Sequence, residues 1–326
     1  IRRVANELAD TAPDEAIPPF EPIGNGLCRL NLRNPDVRRL APERIARMML
    51  ATATQVRGSV EAFQEKLALL RQVIAAHGDA PFSVEALDTY LHGYAAQGYP
   101  PVSHGERYRQ AYRPAYRVVK RMYGEALPAL LRMEDALSCE GRATLVIDGD
   151  CGAGKTTLCG LLAPLYHCNV FHMDDFFLPF SMRSPERMSE AGGNIHYERF
   201  LRDVLKPLLE GGAFRYNAYD CHRDVSTPID ASVRPVTLIE GSYSLHPKFS
   251  DAYTRLGALR LLLSVPSEEQ LRRIRLRSGE KMLERFRNEW IPLEKTYFQA
   301  YHRNRADELT LESQWHSEDA ASFAKE

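Results

Sequence analysis

Gly149, Gly154, Lys155 and Thr156 spell G-x-x-x-x-G-K-T inside the run TLVIDGDCGAGKTT. Glycines at this spacing let the backbone fold round a polyphosphate with its N–H groups pointing inward. The lysine then neutralises β and γ oxygens and the threonine hydroxyl ligates Mg²⁺. Gly149, Asp150, Cys151, Gly152, Ala153, Gly154, Lys155, Thr156 and Thr157 are therefore read as a loop that binds a nucleoside triphosphate, the other reading being a glycine turn of purely structural use.

Acids follow at places where they can do chemistry. FHMDDFF sets Asp174 and Asp175 at the end of an apolar run, where a strand's carboxyl end meets the ligand crevice of an open α/β sheet. One carboxylate there can accept the proton of an attacking hydroxyl while its neighbour, or a water it holds, helps bind Mg²⁺. The plainer reading is a capping aspartate beside a solvated one. VTLIEGSY brings Glu240 to the same edge, as a candidate for holding Mg²⁺ through water or orienting water, or as a loop cap. Further on, Arg272, Arg273, Arg275 and Arg277 crowd six residues of QLRRIRLR. Guanidinium groups there can clamp a transferring phosphoryl group, but four cannot face one site, so the others are expected in ion pairs with Glu268, Glu269 or Glu280.

These groups need strands to carry them. Residues 143–148, 169–173, 236–239 and 259–265 are short apolar runs, each followed by a turn or polar cluster, and 156–165 reads as a short helix ended near Pro164. The pattern predicts an α/β fold with a mostly parallel sheet flanked by helices. Residues 42–137 differ: Ile45, Met48, Met49, Val60, Phe63, Leu67, Leu70, Val73, Val84, Leu87 and Leu91 recur at helical spacing. A mainly α-helical domain over 1–138, with an extended arm at 11–34 and a short strand around Leu27, Leu30 and Leu32, is expected before a domain over 139–326. In the helical half Tyr108, Tyr112 and Tyr116 repeat every fourth residue beside Arg109, Arg113, Arg117 and Arg121. On one helix that makes an aromatic stripe beside a basic one, which can bind single-stranded nucleic acid. An ordinary helix, or one docked on the second half, is the favoured reading, and Pro114 is expected to end or kink it near Arg113.

In their order, GDCGAGKTT, HMDDFF, YDCH, LIEGSY and QLRRIRLR resemble the uridine kinase and nicotinamide riboside kinase group of P-loop kinases, with phosphoribulokinase and bacterial pantothenate kinase. The resemblance spans about residues 143–311. It implies a five-stranded parallel sheet, a mobile arginine-bearing lid beginning at 268–277, and Asp174 as catalytic base with Glu240 as the glutamate of the E-G motif. The group's R-R-x-x-R-D lacks its aspartate here; Arg273 is the first candidate for the catalytic arginine and Arg277 the second. Two departures bear on the acceptor. Ile195 stands where uridine kinases place a ribose-holding aspartate, and His222 follows Tyr219 by three residues, not five. The candidate substrate residues are thus a polar set, Asp175, His196, Tyr197, Arg199, Tyr219 and His222, suited to a hydroxylated and even anionic small molecule, the plainer reading being that His196 and His222 are ordinary loop histidines and Tyr197 is core.

Charge and composition bound the rest. The 326 residues carry a formal net charge of −1, which gives no bulk argument for nucleic acid or an anionic membrane. Six scattered cysteines without C-x-x-C or zinc spacing suit reduced thiols. No apolar run approaches the length of a membrane span, and no signal-peptide pattern opens the chain. A cytoplasmic location is expected. Since the chain begins at Ile1, so are a few native residues before it. The expected activity is phosphoryl transfer from ATP, with Mg²⁺, to a hydroxyl of a small metabolite. Lys155 would act on the β and γ phosphates, with Thr156, Glu240 and Asp174 at the metal. Competing readings are a nucleotide-dependent regulatory protein and a kinase for a larger acceptor.

Overall fold

The computed structural model describes residues 1–56, 58–77, 80–221, 223–302 and 308–313. They form two compact units, residues 1–49 with 116–326, and residues 50–115. The expected boundary between residues 138 and 139 falls inside the first unit, within the last turn of the helix Leu127–Glu140.

Ten strands are described: β1 Phe20–Gly24, β2 Leu27–Asn31, β3 Tyr116–Lys120, β4 Ala143–Gly149, β5 Cys168–His172, β6 Ala213–Asp220, β7 Val225–Ser232, β8 Val236–Glu240, β9 Leu259–Ser264 and β10 Glu308–Glu312. Five make a wholly parallel sheet in the order β10-β9-β4-β8-β5. Every residue of β4 and of β8 is buried, which is why these runs read as continuously apolar instead of alternating. The chain goes from β4 past β8 to β5, returns to β8, then crosses to β9 on the far side of β4. The order therefore reverses around β4 and β8, and their carboxyl ends frame the crevice where ligands of such sheets bind. Register sets the crevice residues side by side: Ile147 pairs with Glu240, and Glu240 with His172. The helix Lys155–Leu162 follows β4, and a core of Phe171, Phe176, Phe200, Tyr216, Phe249 and Tyr253 packs one region of the unit.

The α/β sheet and the helical first part hold as expected, with differences. Residues before 143 include a three-stranded antiparallel sheet, β1-β2-β3. The helix of the tyrosine and arginine stripe spans only Glu106–Tyr112. Arg113 turns into the left-handed region (φ 42°, ψ 55°), Pro114 has no N–H to continue the helix, and the β-branched Val118 and Val119 lie in β3. Tyr116, Arg117 and Arg121 thus leave the stripe: Arg117 pairs with Glu7, the Tyr116 ring lies under Arg29, and Arg121 pairs with Glu125. The spacing of Val60, Phe63, Leu70 and Val73 does mark a helix, Val60–Ala76, but that helix buries none of its residues. Tyr219 and Asp220 lie in a β6–β7 hairpin that the sequence did not announce. The arginine-rich helix runs Ser267–Arg285, interrupted at Gly279 (φ 78°, ψ 171°), and after residues 286–290 the helix Ile291–Tyr301 completes that stretch.

Candidate active site

The loop between β4 and the helix Lys155–Leu162 is shaped by contacts that only glycine tolerates. Gly149 has φ 141°, and a Cβ there would stand 1.9 Å from the Leu263 carbonyl oxygen of neighbouring β9. The turn is pinned by Asp150 N–H to Leu263 O (3.0 Å), by Ala153 N–H to Asp150 O (3.0 Å) and by Val265 N–H to Asp150 Oδ2 (3.2 Å). Gly154, at φ 93°, opens the helix, whose first-turn N–H groups have no intrahelical partners and point where an anion would be held. Lys155 is buried, its Nζ donating to Gly149 O (2.7 Å), Asp150 O (3.1 Å) and Ser242 Oγ (3.3 Å).

Beneath the loop lies Asp148, wholly buried and missed by the sequence reading. Its Oδ1 accepts from Gly149 N–H (2.7 Å) and Tyr243 N–H (3.1 Å), its Oδ2 from Leu245 N–H (2.9 Å) and Tyr297 O–H (2.8 Å). Burial pushes this carboxyl up, while Lys155 and the N–H donors draw it back down. Four donors on two oxygens favour the ionised form. The sequence signal was an acid closing a run of buried apolar residues.

Three elements meet at Glu240. Thr156 Oγ1 lies 3.2 and 3.1 Å from its two oxygens, and His172 Nδ1 is 2.6 Å from Oε1. The Glu240 hydrogen bond holds His172 above the usual imidazole range. Gly241 lets the strands close up: it has φ 134°, and a Cβ would meet the Met173 Cβ at 2.7 Å. Asp174 follows Met173, exposed at the crevice. Lost solvation and then the Glu240 charge push its carboxyl up, while Lys155 and His172 pull it down. Because the side chain remains open to solvent, the first of these effects is weaker than for a fully enclosed acid. Burial also raises Asp175, opposed by His172 and Arg199. A threonine hydroxyl beside a carboxylate is a hard-oxygen pair of the kind Mg²⁺ takes alongside phosphate oxygens, so these residues fit that ion.

The structure treats the expected substrate and arginine residues unequally. Arg199 donates to the backbone carbonyls of Asp175 (2.6 Å) and Asn217 and lies over the Phe176 ring, so it braces Asp175 from behind. Tyr197 is buried, its hydroxyl bonded to Arg187 and Glu190 and its ring stacked on His246. His196 meets Glu198 (3.2 Å), and the Tyr219 hydroxyl donates to Asp224 (2.7 Å) near the hairpin tip. His222 lies outside the described residues. Arg273 reaches the loop, donating to Gly152 O (3.3 Å), to Glu269 (2.7 Å) and to Ser313 Oγ (2.7 Å). Arg277 is exposed, beside Ser278 and over the Phe286 ring. The expected ion pairs form as Arg272–Glu269 and Arg275–Glu280. Two further residues escaped the sequence reading, Ser242 and the buried Glu294, which are bonded to each other (2.7 Å).

Among the described residues no helix is long and apolar enough to cross a membrane. No family model and no curated protein matches the chain. Among solved structures it is similar to a possible uridine kinase from Bacillus stearothermophilus, at 17% identity and TM-score 0.44, covering 59% of this chain and 99% of that one. It is also similar to YFH7 from Saccharomyces cerevisiae, described as a candidate P-loop kinase with a circular permutation, at 12% identity and TM-score 0.43, covering 53% and 93%. A gluconokinase from Sinorhizobium meliloti is similar at 14% identity and TM-score 0.31, covering 55% and 90%.

Proposed function

We propose that the protein transfers the γ-phosphoryl group of ATP to a hydroxyl of a small molecule. The observation that carries this reading is the meeting of two chemistries at one sheet edge. The Thr156 hydroxyl stands against Glu240, Lys155 lies beside it against Ser242, and Asp174 follows just past the end of the adjacent strand β5. Lys155 and the first-turn amides hold the β and γ phosphates. Thr156, Glu240 and Asp174 are the residues that would hold Mg²⁺, which when bound draws charge from the bridging and terminal phosphate oxygens. Asp174 takes the proton of the acceptor hydroxyl. The acceptor oxygen bonds to the γ-phosphorus as the bond to the β–γ bridging oxygen breaks and ADP leaves.

Asp175, whose backbone carbonyl Arg199 holds, is the neighbouring acid assigned to the acceptor. A regulatory protein that only binds nucleotide would have no use for Asp174, so that residue favours the enzyme. The test is acceptor-dependent ADP release from Mg²⁺-ATP over a panel of nucleosides, vitamins, sugars and sugar phosphates, with product mass and Asp174→Asn as control. Acceptor-dependent release lost in the variant supports the reading; nucleotide binding without transfer to any acceptor goes against it.

A further inference from the structure

The arginine-bearing stretch meets the phosphate loop at one residue from both of its ends. Before it, Gln270 Nε2 donates to the Cys151 carbonyl (3.0 Å); after it, Glu294 Oε2 accepts the Cys151 N–H (2.9 Å). The other oxygen of Glu294 accepts the Ser242 hydroxyl (2.7 Å), and Ser242 Oγ lies 3.3 Å from Lys155 Nζ. Gln270 and Glu294 are both buried. A buried carboxylate is tolerated where its oxygens find donors, and here each oxygen has one, both belonging to the phosphate-handling loops. No step of the transfer chemistry uses Glu294 directly.

We propose that Glu294 is a positioning residue for phosphoryl transfer, acting on Lys155 through Ser242 and on the phosphate loop through the Cys151 amide. The inference rests on the kinase reading. A serine hydroxyl has one proton and two lone pairs. Committing the proton of Ser242 to Glu294 turns its lone pairs toward the Lys155 ammonium, whose other two donors meet the Gly149 and Asp150 carbonyls here and would turn to the phosphates with nucleotide bound. Without Glu294 the hydroxyl is free to rotate, the Cys151 N–H loses its acceptor, and the helix Ile291–Tyr301 loses its tie to the loop. Misorientation of this kind lowers the rate of transfer more than the affinity for nucleotide.

The test compares wild type, Glu294→Ala, Glu294→Gln, Ser242→Ala and the Ser242→Ala/Glu294→Ala double variant. Transfer from Mg²⁺-ATP is measured to the acceptor found in the panel, or to water where hydrolysis is the transfer observed, with nucleotide Kd taken separately. Glu294→Ala is expected to lower kcat about tenfold or more with Kd changed by less than about threefold. Glu294→Gln keeps one acceptor oxygen for two donors, so it holds either the Cys151 N–H or the Ser242 hydroxyl and its kcat falls between Glu294→Ala and wild type. The double variant is no slower than the slower single, since the two residues act in series. A kcat for Glu294→Ala within about twofold of wild type, or effects that multiply in the double variant, overturns the proposal. If Glu294→Ala does not fold, Ser242→Ala decides: a rate loss at unchanged Kd supports the relay, and a wild-type rate overturns it. Transfer that is absent in wild type, or survives Lys155→Ala, sinks the kinase reading itself; transfer lost in Lys155→Ala but kept in Glu294→Ala sinks only the role of Glu294.

Discussion

Replacing Asp148 by Asn changes one atom and should cost a large part of the fold's stability. Both Asp148 oxygens are acceptors for two donors each, and all four donor residues are buried. The amide group of Asn turns one of these acceptors into a donor. In the cheaper orientation the NH₂ replaces Oδ2, where the Tyr297 hydroxyl can rotate and accept while the Leu245 N–H is orphaned. That orphan costs about 1–3 kcal/mol, and replacing charge-assisted bonds by neutral ones at Oδ1 adds about 1 kcal/mol each. Removing a buried charge returns part of this, leaving a net loss of about 2–4 kcal/mol. Against a typical stability of about 5–15 kcal/mol this is readily measured. Urea unfolding followed by circular dichroism should show a lower midpoint at unchanged slope. A variant within about 0.5 kcal/mol of wild type would refute the reasoning, because two or more of the four contacts would then contribute nothing.

Other outcomes follow from single contacts. Gly149→Ala should unfold the protein or abolish nucleotide binding, since the added Cβ meets the Leu263 carbonyl at 1.9 Å; a soluble variant with wild-type nucleotide affinity would contradict that close approach. Lys155→Ala should weaken nucleotide binding and slow transfer, and unchanged affinity by calorimetry would count against the phosphate loop. His246 is buried, its Nε2 bonded to the Ala191 carbonyl and its Nδ1 accepting the Lys248 N–H, and burial pushes it down to about 4 from an ordinary 6.5. Its neutral form is the stable one in the fold, so stability is full above pH 6.5 and is lost as pH falls toward 4. By pH 4.5 this loss should reach about 2–3 kcal/mol. Thermal unfolding across that range should be visibly flatter in His246→Gln, and an equal slope in both proteins would remove the assignment.

The parts of the site that were legible are those written in consecutive residues. The glycine loop, the four strands around it and the placing of Asp174 and Glu240 at the sheet edge all follow from short patterns, since a strand end and a glycine turn leave local marks. Contacts between distant segments leave none. Glu294 meets Cys151 across 143 positions and Tyr297 meets Asp148 across 149, so their partners exist only once the sheet and the C-terminal helix are assembled. Arg199 and Tyr197 have the composition of a ligand site, yet their polar atoms go to backbone carbonyls and neighbouring side chains, which residue type alone does not reveal. The helical stripe failed at Pro114 for a local reason. The periodicity of Tyr116 and Arg117 persists, but once the helix ends, β-branched Val118 and Val119 favour the strand.

Transfer to an acceptor with Asp174 as base is tested most directly by one comparison. Acceptor-dependent ADP release and nucleotide Kd are measured in wild type and Asp174→Asn over the same acceptor panel. If Asp174 is the base, wild type releases ADP with at least one acceptor, the variant does not, and nucleotide Kd stays within about threefold. Release in the variant near the wild-type rate on that acceptor would contradict the assignment.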